Sequence, residues 1–228
     1  LTEQAKLLLI KRARIVAGAA NKLPALIECM RQHSSCSHML VYCGAANVID
    51  DDYFEDEEED RQNDERQIDA AIKELDGKLD MKVARFTSRE NLVERKLILE
   101  AFAEGDNIQV LVAIKCLDEG VNIPKIDKAF ILASSTNPKE FIQRRGRVLR
   151  LAKGKKYAEI FDFVTLPRPL DSVISLTEEA ISNDFSLIFN EIKRVEEFKS
   201  LSLNPQAGDE LIADLKDAYH LHGRKEYI

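Results

Sequence analysis

The sequence predicts an α/β fold, in which a parallel sheet is flanked by helices and followed by a helical C-terminal extension. Short apolar runs near residues 39, 83, 110, 129 and 158 alternate with segments of helical periodicity. That alternation is the βαβ rhythm of a doubly wound sheet. Residues 109–114 are rich in β-branched side chains, as expected of a strand at the centre of a sheet.

The N-terminal 35 residues predict a helical lead-in to the sheet. Residues 1–20 show an apolar and a basic side, and a second helix is expected to open near Pro24 and run to about Arg31. The run from His38 to Cys43 is apolar throughout, which is typical of a buried parallel strand.

Charge is strongly segregated along the chain. Asp50 to Asp60 holds nine acidic residues and no basic one, so we expect a loop over residues 50–63 and a helix only from 64 to 78. Without those nine charges, the formal net charge of −7 becomes +2 for the other residues. Lys139 to Lys156 holds eight basic residues against one acid, and such a basic stretch suits a polyanionic partner.

The next strand, Lys82 to Phe86, leads into Thr87-Ser88-Arg89-Glu90, a predicted capping box. The helix that follows is expected to pack through four apolar residues, Val93, Leu97, Ile98 and Ala101. Three further strands are predicted, at Gln109–Ile114, Lys128–Ala133 and Tyr157–Val164. Ligands of such sheets gather at the carboxyl ends of the strands, where Thr87, Ile114, Gly120 and residues 134–137 are expected to lie.

Pro167 and Pro169 mark the end of the sheet domain. The predicted organisation is therefore a lead-in over 1–35, a sheet domain over 36–166 and a helical extension over 167–228. Within the extension, residues 171–201 predict one long or two broken helices. Asn204-Pro205 and Gly208 are expected to break the pattern before a last helix over about 209–220.

Several classes of protein are disfavoured. No apolar run approaches the ~18 residues of a membrane span, and no signal peptide is recognisable. The four cysteines form no C-x-x-C pair, which favours free thiols in a reducing cytoplasm. Cys29, His33, Cys36 and His38 match no zinc spacing, so no metal site is predicted. Leu1 in place of Met suggests a fragment.

A basic helix is predicted after residue 137. Asn137, Pro138 and Glu140 read as an N-cap, a first-turn proline and a capping glutamate. Three polar residues then share one stripe at i, i+4 and i+7: Gln143, Arg147 and Arg150. Guanidinium forks match phosphate oxygens, and Gly146 would allow a ligand or backbone to approach closely. The alternative is a solvated basic face with no ligand.

Two segments resemble helicase motifs. Gln143 to Arg150 resembles motif VI of superfamily 2 helicases, Q-R-x-G-R-x-x-R, and Val110 to Pro124 resembles motif V. Their order and separation also fit that superfamily. The amino acids of both motifs are similar to those of its restriction-subunit and DNA-repair branch. The resemblance covers about residues 36–165 and implies the second RecA-like domain of a two-domain motor in the cytoplasm.

The resemblance implies a role for individual residues. Arg147 and Arg150 would be arginine fingers, and Gln143 would orient the γ-phosphate or the attacking water. Nucleotide contacts would come from Gly120, Asn122 and Arg144. Nucleic-acid backbone contacts would come from Gly44, Thr87, Ser88, Arg89, Ile114 and Lys115. Ile114 stands where many members have Thr or Ser, and Asn122 where many have Asp, so contacts at these two positions are expected through backbone N–H groups.

The sequence has neither G-x-x-x-x-G-K-[ST] nor D-E-x-H. ATP with Mg²⁺ would therefore be bound mainly by a first RecA-like domain, and this chain alone is expected to be inactive. The expected partners are DNA in preference to RNA, that first domain, and other subunits through the C-terminal helices. The alternative function is a non-catalytic nucleic-acid-binding or scaffolding module on a degenerate helicase fold.

Overall fold

The computed structural model describes residues 2–43, 57–87, 89–114, 126–132, 146, 150, 152 and 154–223. For residues 57–66 and for positions 3, 6, 9, 10, 13, 14 and 17 only the backbone is described. The chain divides into two compact units, Leu1–Phe163 and Val164–Ile228. The finer division at residues 35 and 166 stays a prediction.

The first unit is built on a sheet of five described strands, and every neighbouring pair is parallel. The order across the sheet is β2-β3-β1-β4-β5. The strands are β1 Met39–Tyr42, β2 Val83–Phe86, β3 Val110–Ala113, β4 Lys128–Ile131 and β5 Glu159–Asp162. The predicted parallel α/β fold is confirmed, and each strand falls inside its predicted run.

Four helices belong to this unit: α1 Glu3–Ala17, α2 Lys22–Arg31, α3 Glu57–Leu79 and α4 Leu92–Glu104. The second unit holds α5 Leu170–Val173, α6 Glu178–Lys199 and α7 Pro205–Ala218. In the described part of the chain, no helix combines the length and apolar character that crossing a membrane requires.

The two faces of the sheet are both covered, which explains why the strands are apolar throughout. On one face, Val41, Val110 and Val112 pack with buried residues of α2 and α3, among them Leu26 and Leu75. On the other face lie Leu40, Tyr42, Phe86 and Leu111, together with Phe102 of α4. Successive strand residues alternate between these two clusters because side chains along a strand point to opposite faces.

The amino ends of the strands are joined by side-chain bonds to the backbone. Gln109 accepts a hydrogen bond from the Lys82 backbone N–H at 3.0 Å, and its amide donates to the carbonyls of Ser34 and Cys36 at 3.1 Å each. The Lys82 ammonium donates to the Asp106 carbonyl at 2.6 Å. One glutamine and one lysine thus connect the segments that precede β1, β2 and β3.

The predicted acidic loop over 50–63 is wrong from Glu57 onward, because α3 begins at that residue. Residues 50–56 lie outside the described part of the chain. Glu, Gln and Arg are good helix formers, and acids in the first turns interact favourably with the positive end of the helix dipole. An acidic run is therefore compatible with a helix when it stands at the N-terminal end.

The last two helices differ from their predicted limits. The alternative of two broken helices holds for α5 and α6, whereas α7 begins at Pro205 and includes Gly208. A Cβ built on Gly208 would lie 2.8 Å from the Cβ of Lys199. The glycine therefore permits the close approach of α6 and α7. The prediction that Gly208 breaks the helical pattern is wrong.

Two buried carboxylates of the second unit are paired and hydrogen-bonded. Glu191 accepts a hydrogen bond from the Thr165 backbone N–H at 3.0 Å and pairs with Arg194, and both side chains are 8% exposed. Asp184 pairs with Arg168 at 2.7 Å and accepts from the Tyr219 hydroxyl at 3.3 Å. Burial, reinforced by the neighbouring Asp184, raises the pKa of Tyr219 to about 12.

Candidate functional site

The carboxyl edge of the sheet brings two predicted site residues together. Thr87 follows β2 and Ile114 follows β3, and the preceding residues Phe86 and Ala113 are paired across these strands. The two positions are therefore neighbours at the edge where parallel sheets bind their ligands. Ile114 is half-buried and packs against the core, so its side chain contributes packing there and no hydroxyl.

Several predicted site residues lie outside the described part of the chain: Gly44, Ser88, Lys115, Gly120, Asn122, Gln143, Arg144 and Arg147. Arg150 and Arg89 are described, and both are exposed. Gly146 is helical and exposed, with open space for at least 4 Å around the point where a Cβ would stand.

Thr87 is fixed through every polar group it has. Its backbone N–H and its hydroxyl both donate to one carboxylate oxygen of Glu90, at 2.5 and 2.9 Å. Its hydroxyl also accepts from the Arg89 backbone N–H at 3.2 Å, and its carbonyl accepts from Arg95 at 2.8 Å. The Arg95 guanidinium carbon lies 5.8 Å from the centroid of the Phe86 ring. A half-buried carboxylate thus occupies the donors of a residue that is only 7% exposed.

The predicted cap of α4 is wrong by one turn. Asn91 is the N-cap and accepts from the N–H groups of Val93 and Glu94 at 2.9 and 3.0 Å. Glu94 returns the bond by accepting from the Asn91 N–H at 2.9 Å. Both four-residue patterns have capping-box spacing, but the Thr87–Glu90 pair closes a separate turn ahead of the helix. The N–H groups of Asn91, Val93 and Glu94 are therefore already hydrogen-bonded within the protein.

The packed face of α4 also differs from the prediction. Val93 and Leu97 are 68% and 60% exposed, and Leu92 is 84% exposed. Of the predicted residues Ile98 does pack on the core, beside Leu99 and Phe102. Apolar residues occur on both sides of this helix, so periodicity alone could not identify the buried one. An exposed apolar patch remains close to the Thr87 turn.

One residue at this edge was not predicted. Lys22 opens α2 and is 6% exposed, and its ammonium donates to the carbonyl of Leu132 at 2.7 Å. Leu132 follows β4 directly. A lone lysine among apolar residues carries no signal of burial, because the contact depends on a carbonyl 110 positions away in the chain.

No metal centre is present in the described ranges, where no three His, Cys, Asp or Glu side chains could share an ion. His33 packs against Phe130 and Phe161, with ring centroids 6.0 and 5.3 Å apart. His38 contacts the carbonyl of Ala103 at 3.3 Å. The histidines near the cysteines thus take part in packing and in a backbone contact.

Comparison with known proteins identifies a family to which most of the first unit is similar. The family described as "Helicase conserved C-terminal domain" matches residues 21–152. "DNA 3'-5' translocase XPB2" of Sulfurisphaera tokodaii is 38% identical over 72 residues, which are 32% of this chain and 16% of that protein. "Putative helicase 22" of Sulfolobus islandicus filamentous virus is 32% identical over 78 residues, 34% of this chain and 14% of that protein. The chain thus matches less than a fifth of either relative.

Among solved structures, the C-terminal part of the Fun30 ATPase domain is similar with a TM-score of 0.48 and 16% identity, over 88% of this chain and 55% of that one. The Pyrococcus furiosus Hef helicase domain is similar with a TM-score of 0.42 and 26% identity, over 62% of this chain and 25% of that one.

Proposed function

Because this chain belongs to the family of helicase conserved C-terminal domains, within the superfamily 2 helicases and translocases, we propose that it is the second RecA-like motor domain of an ATP-dependent DNA helicase or translocase. The observation that carries the proposal is the family match over residues 21–152, which includes both motif-like segments and the strands of β1 to β4. The similarity to a DNA translocase favours DNA over RNA. The amino acids of the two motif-like segments favour restriction or repair in the cytoplasm.

The nucleotide would lie between this domain and a first RecA-like domain. Mg²⁺ needs oxygen ligands, which we assign to that other domain together with the phosphate-cradling loop. This chain would supply cations: Arg147 and Arg150 would reach the γ-phosphate and stabilise the charge that develops there, while Gln143 would orient the phosphate or the attacking water. Gly120, Asn122 and Arg144 would contact the rest of the nucleotide.

DNA would bind through its backbone at the carboxyl edge, near Gly44, Thr87, Ser88, Arg89, Ile114 and Lys115. The adjacency of Thr87 and Ile114 supports this assignment. A phosphate oxygen could replace the Glu90 oxygen as acceptor for the two Thr87 donors, because both are negatively charged oxygens. Exposed apolar residues of the second unit, Ile174, Leu201 and Leu203, support contacts with other subunits.

The test is the substitution Arg147→Ala or Arg150→Ala in the complete protein. ATP affinity should stay nearly intact, because the phosphate-cradling loop carries most ground-state binding. Hydrolysis should fall by about 10³, the lower end for arginine fingers, because two arginines share the task. Arg31→Ala is a suitable control, since Arg31 is an exposed arginine that pairs with Glu28 on α2.

The measurements are kcat and nucleotide Kd for each variant, beside a circular dichroism melt. Wild-type turnover by Arg147→Ala would show that the helix predicted after residue 137 is only a basic surface. The second candidate, a non-catalytic module, is favoured by Ile114, which offers no hydroxyl to a phosphate. It predicts DNA binding by the complete protein without any ATP turnover.

A further inference from the structure

We propose that Lys22 is a positioning residue for ATP hydrolysis, which fixes the carboxyl end of β4, the strand that precedes the predicted helix of Gln143, Arg147 and Arg150. This inference rests on the proposed function. Lys22 lies at the start of α2 and belongs to no helicase-like motif in the sequence.

The geometry ties α2 to the ligand edge of the sheet. The Lys22 ammonium donates to the Leu132 carbonyl at 2.7 Å, and both residues are almost completely buried, at 6% and 0% exposed. The Leu132 N–H donates to the Tyr42 carbonyl at 3.0 Å, so its backbone extends the pairing of β4 with β1 by one residue. Lys22 therefore fixes the backbone exactly where β4 ends.

Two other lysines in the described part of the chain make the same kind of bond at the opposite edge. Lys82 donates to Asp106 at 2.6 Å, and Lys155 donates to Ile126 at 2.5 Å. Asp106 precedes β3 and Ile126 precedes β4. Lys82 is exposed and Lys155 is half-buried, whereas Lys22 is buried. Burying an ammonium carries a large desolvation cost, so a buried lysine at the ligand edge calls for a role beyond solubility.

That role follows from chain order. Leu132 is the last described residue before the segment that leads, within eleven positions, to Gln143 and then to Arg147. Fixing the Leu132 backbone fixes the point from which that segment starts. An arginine finger acts only from a defined position, and a shift of about 1 Å can lower a rate by about 100-fold. Lys22 acts on the reaction through the backbone and does not touch the nucleotide.

The experiment is Lys22→Met in the complete protein, with Lys82→Met as the matched control. Methionine keeps the length of the side chain but removes the charge and the donor. We expect kcat to fall by about 10- to 100-fold, with nucleotide KM changed by less than about threefold. Lys82→Met should leave both unchanged. The substitution removes a buried charge but also takes the donor from the buried Leu132 carbonyl, so each kcat is measured well below the melting temperature and corrected for the folded fraction.

A second measurement does not depend on ATP turnover. Amide hydrogen exchange of this chain should be about tenfold faster in peptides covering residues 129–142 for Lys22→Met and unchanged for Lys82→Met. Unchanged exchange, unchanged kcat, or a fall in kcat that only follows the folded fraction would overturn the proposal. A raised KM at unchanged kcat would also overturn it, because it would indicate direct contact with the nucleotide. If the wild type has no turnover, the proposed function fails, and the exchange data still decide the role of Lys22.

Discussion

Glu90 should oppose DNA binding, and Glu90→Gln should therefore strengthen it. Both donors of Thr87 now point at one Glu90 oxygen, at 2.5 and 2.9 Å. A DNA phosphate that used the same donors would stand about 4 Å from this carboxylate, where two unit charges repel by about 1 kcal/mol even in bulk water. Glu90 is half-buried, so that value is a lower limit. We expect Kd to fall by about 5- to 10-fold.

The assay is fluorescence anisotropy with a labelled single-stranded oligonucleotide at two salt concentrations. Glu100→Gln is the control, because Glu100 stands exposed on α4, the helix that follows Glu90, pairs with Lys96 and gives the same change in net charge. Equal tightening by both variants would show that only overall charge matters. Unchanged or weaker binding by Glu90→Gln would refute the reasoning that the carboxylate holds the place of a phosphate. Binding should weaken as salt rises in every variant.

Two further predictions concern the second unit. Glu191→Ala should lower the free energy of unfolding by about 3 kcal/mol, because it removes the carboxylate from a buried guanidinium and from a buried N–H. Urea unfolding followed by circular dichroism measures this loss, which should be smaller for Glu191→Gln. A loss below about 1 kcal/mol would contradict the interpretation as a buried ion pair. The raised pKa of Tyr219, about 12, means that the folded state keeps its phenol proton more tightly than the unfolded chain does. Stability should therefore be full below pH ~10 and decline as pH rises toward 12, and Tyr219→Phe should weaken that dependence in thermal melts over this range.

The strands could be predicted because a parallel strand buried on both faces leaves a continuous apolar run in the sequence. Helix limits were less predictable. The start of α3 is not predictable from charge density, because a dense run of acids disfavours packing whereas the helix dipole favours acids at that end. The packed face of α4 is predictable only in part, because Leu92, Val93 and Leu97 are as apolar as Ile98, Leu99 and Phe102, which face the core.

The candidate site was predictable only as far as its motifs. The order of β2 and β3 in the sheet makes Thr87 and Ile114 neighbours, as the carboxyl-edge rule had suggested. The bonds of Glu90 to Thr87 could not be foreseen, since the same residues also fit a helix cap. Lys22 could not be found at all, because its burial depends on β4, which lies about a hundred residues later. The roles of Arg147 and its neighbours stay predictions.

The bonds made by Gln109 and Lys82 have a consequence for how such a domain can change over evolutionary time. They cross-link the amino ends of neighbouring strands through backbone carbonyls and an N–H, contacts that do not depend on the side chains of the segments they hold. These bonds help to keep the strands in register from the amino end, whereas Lys22 fixes only β4 at the opposite edge. Loops there can exchange residues, as at Ile114, or change in length, at little expense to folding. A domain arranged in this way can change the residues at its carboxyl edge while its sheet stays the same.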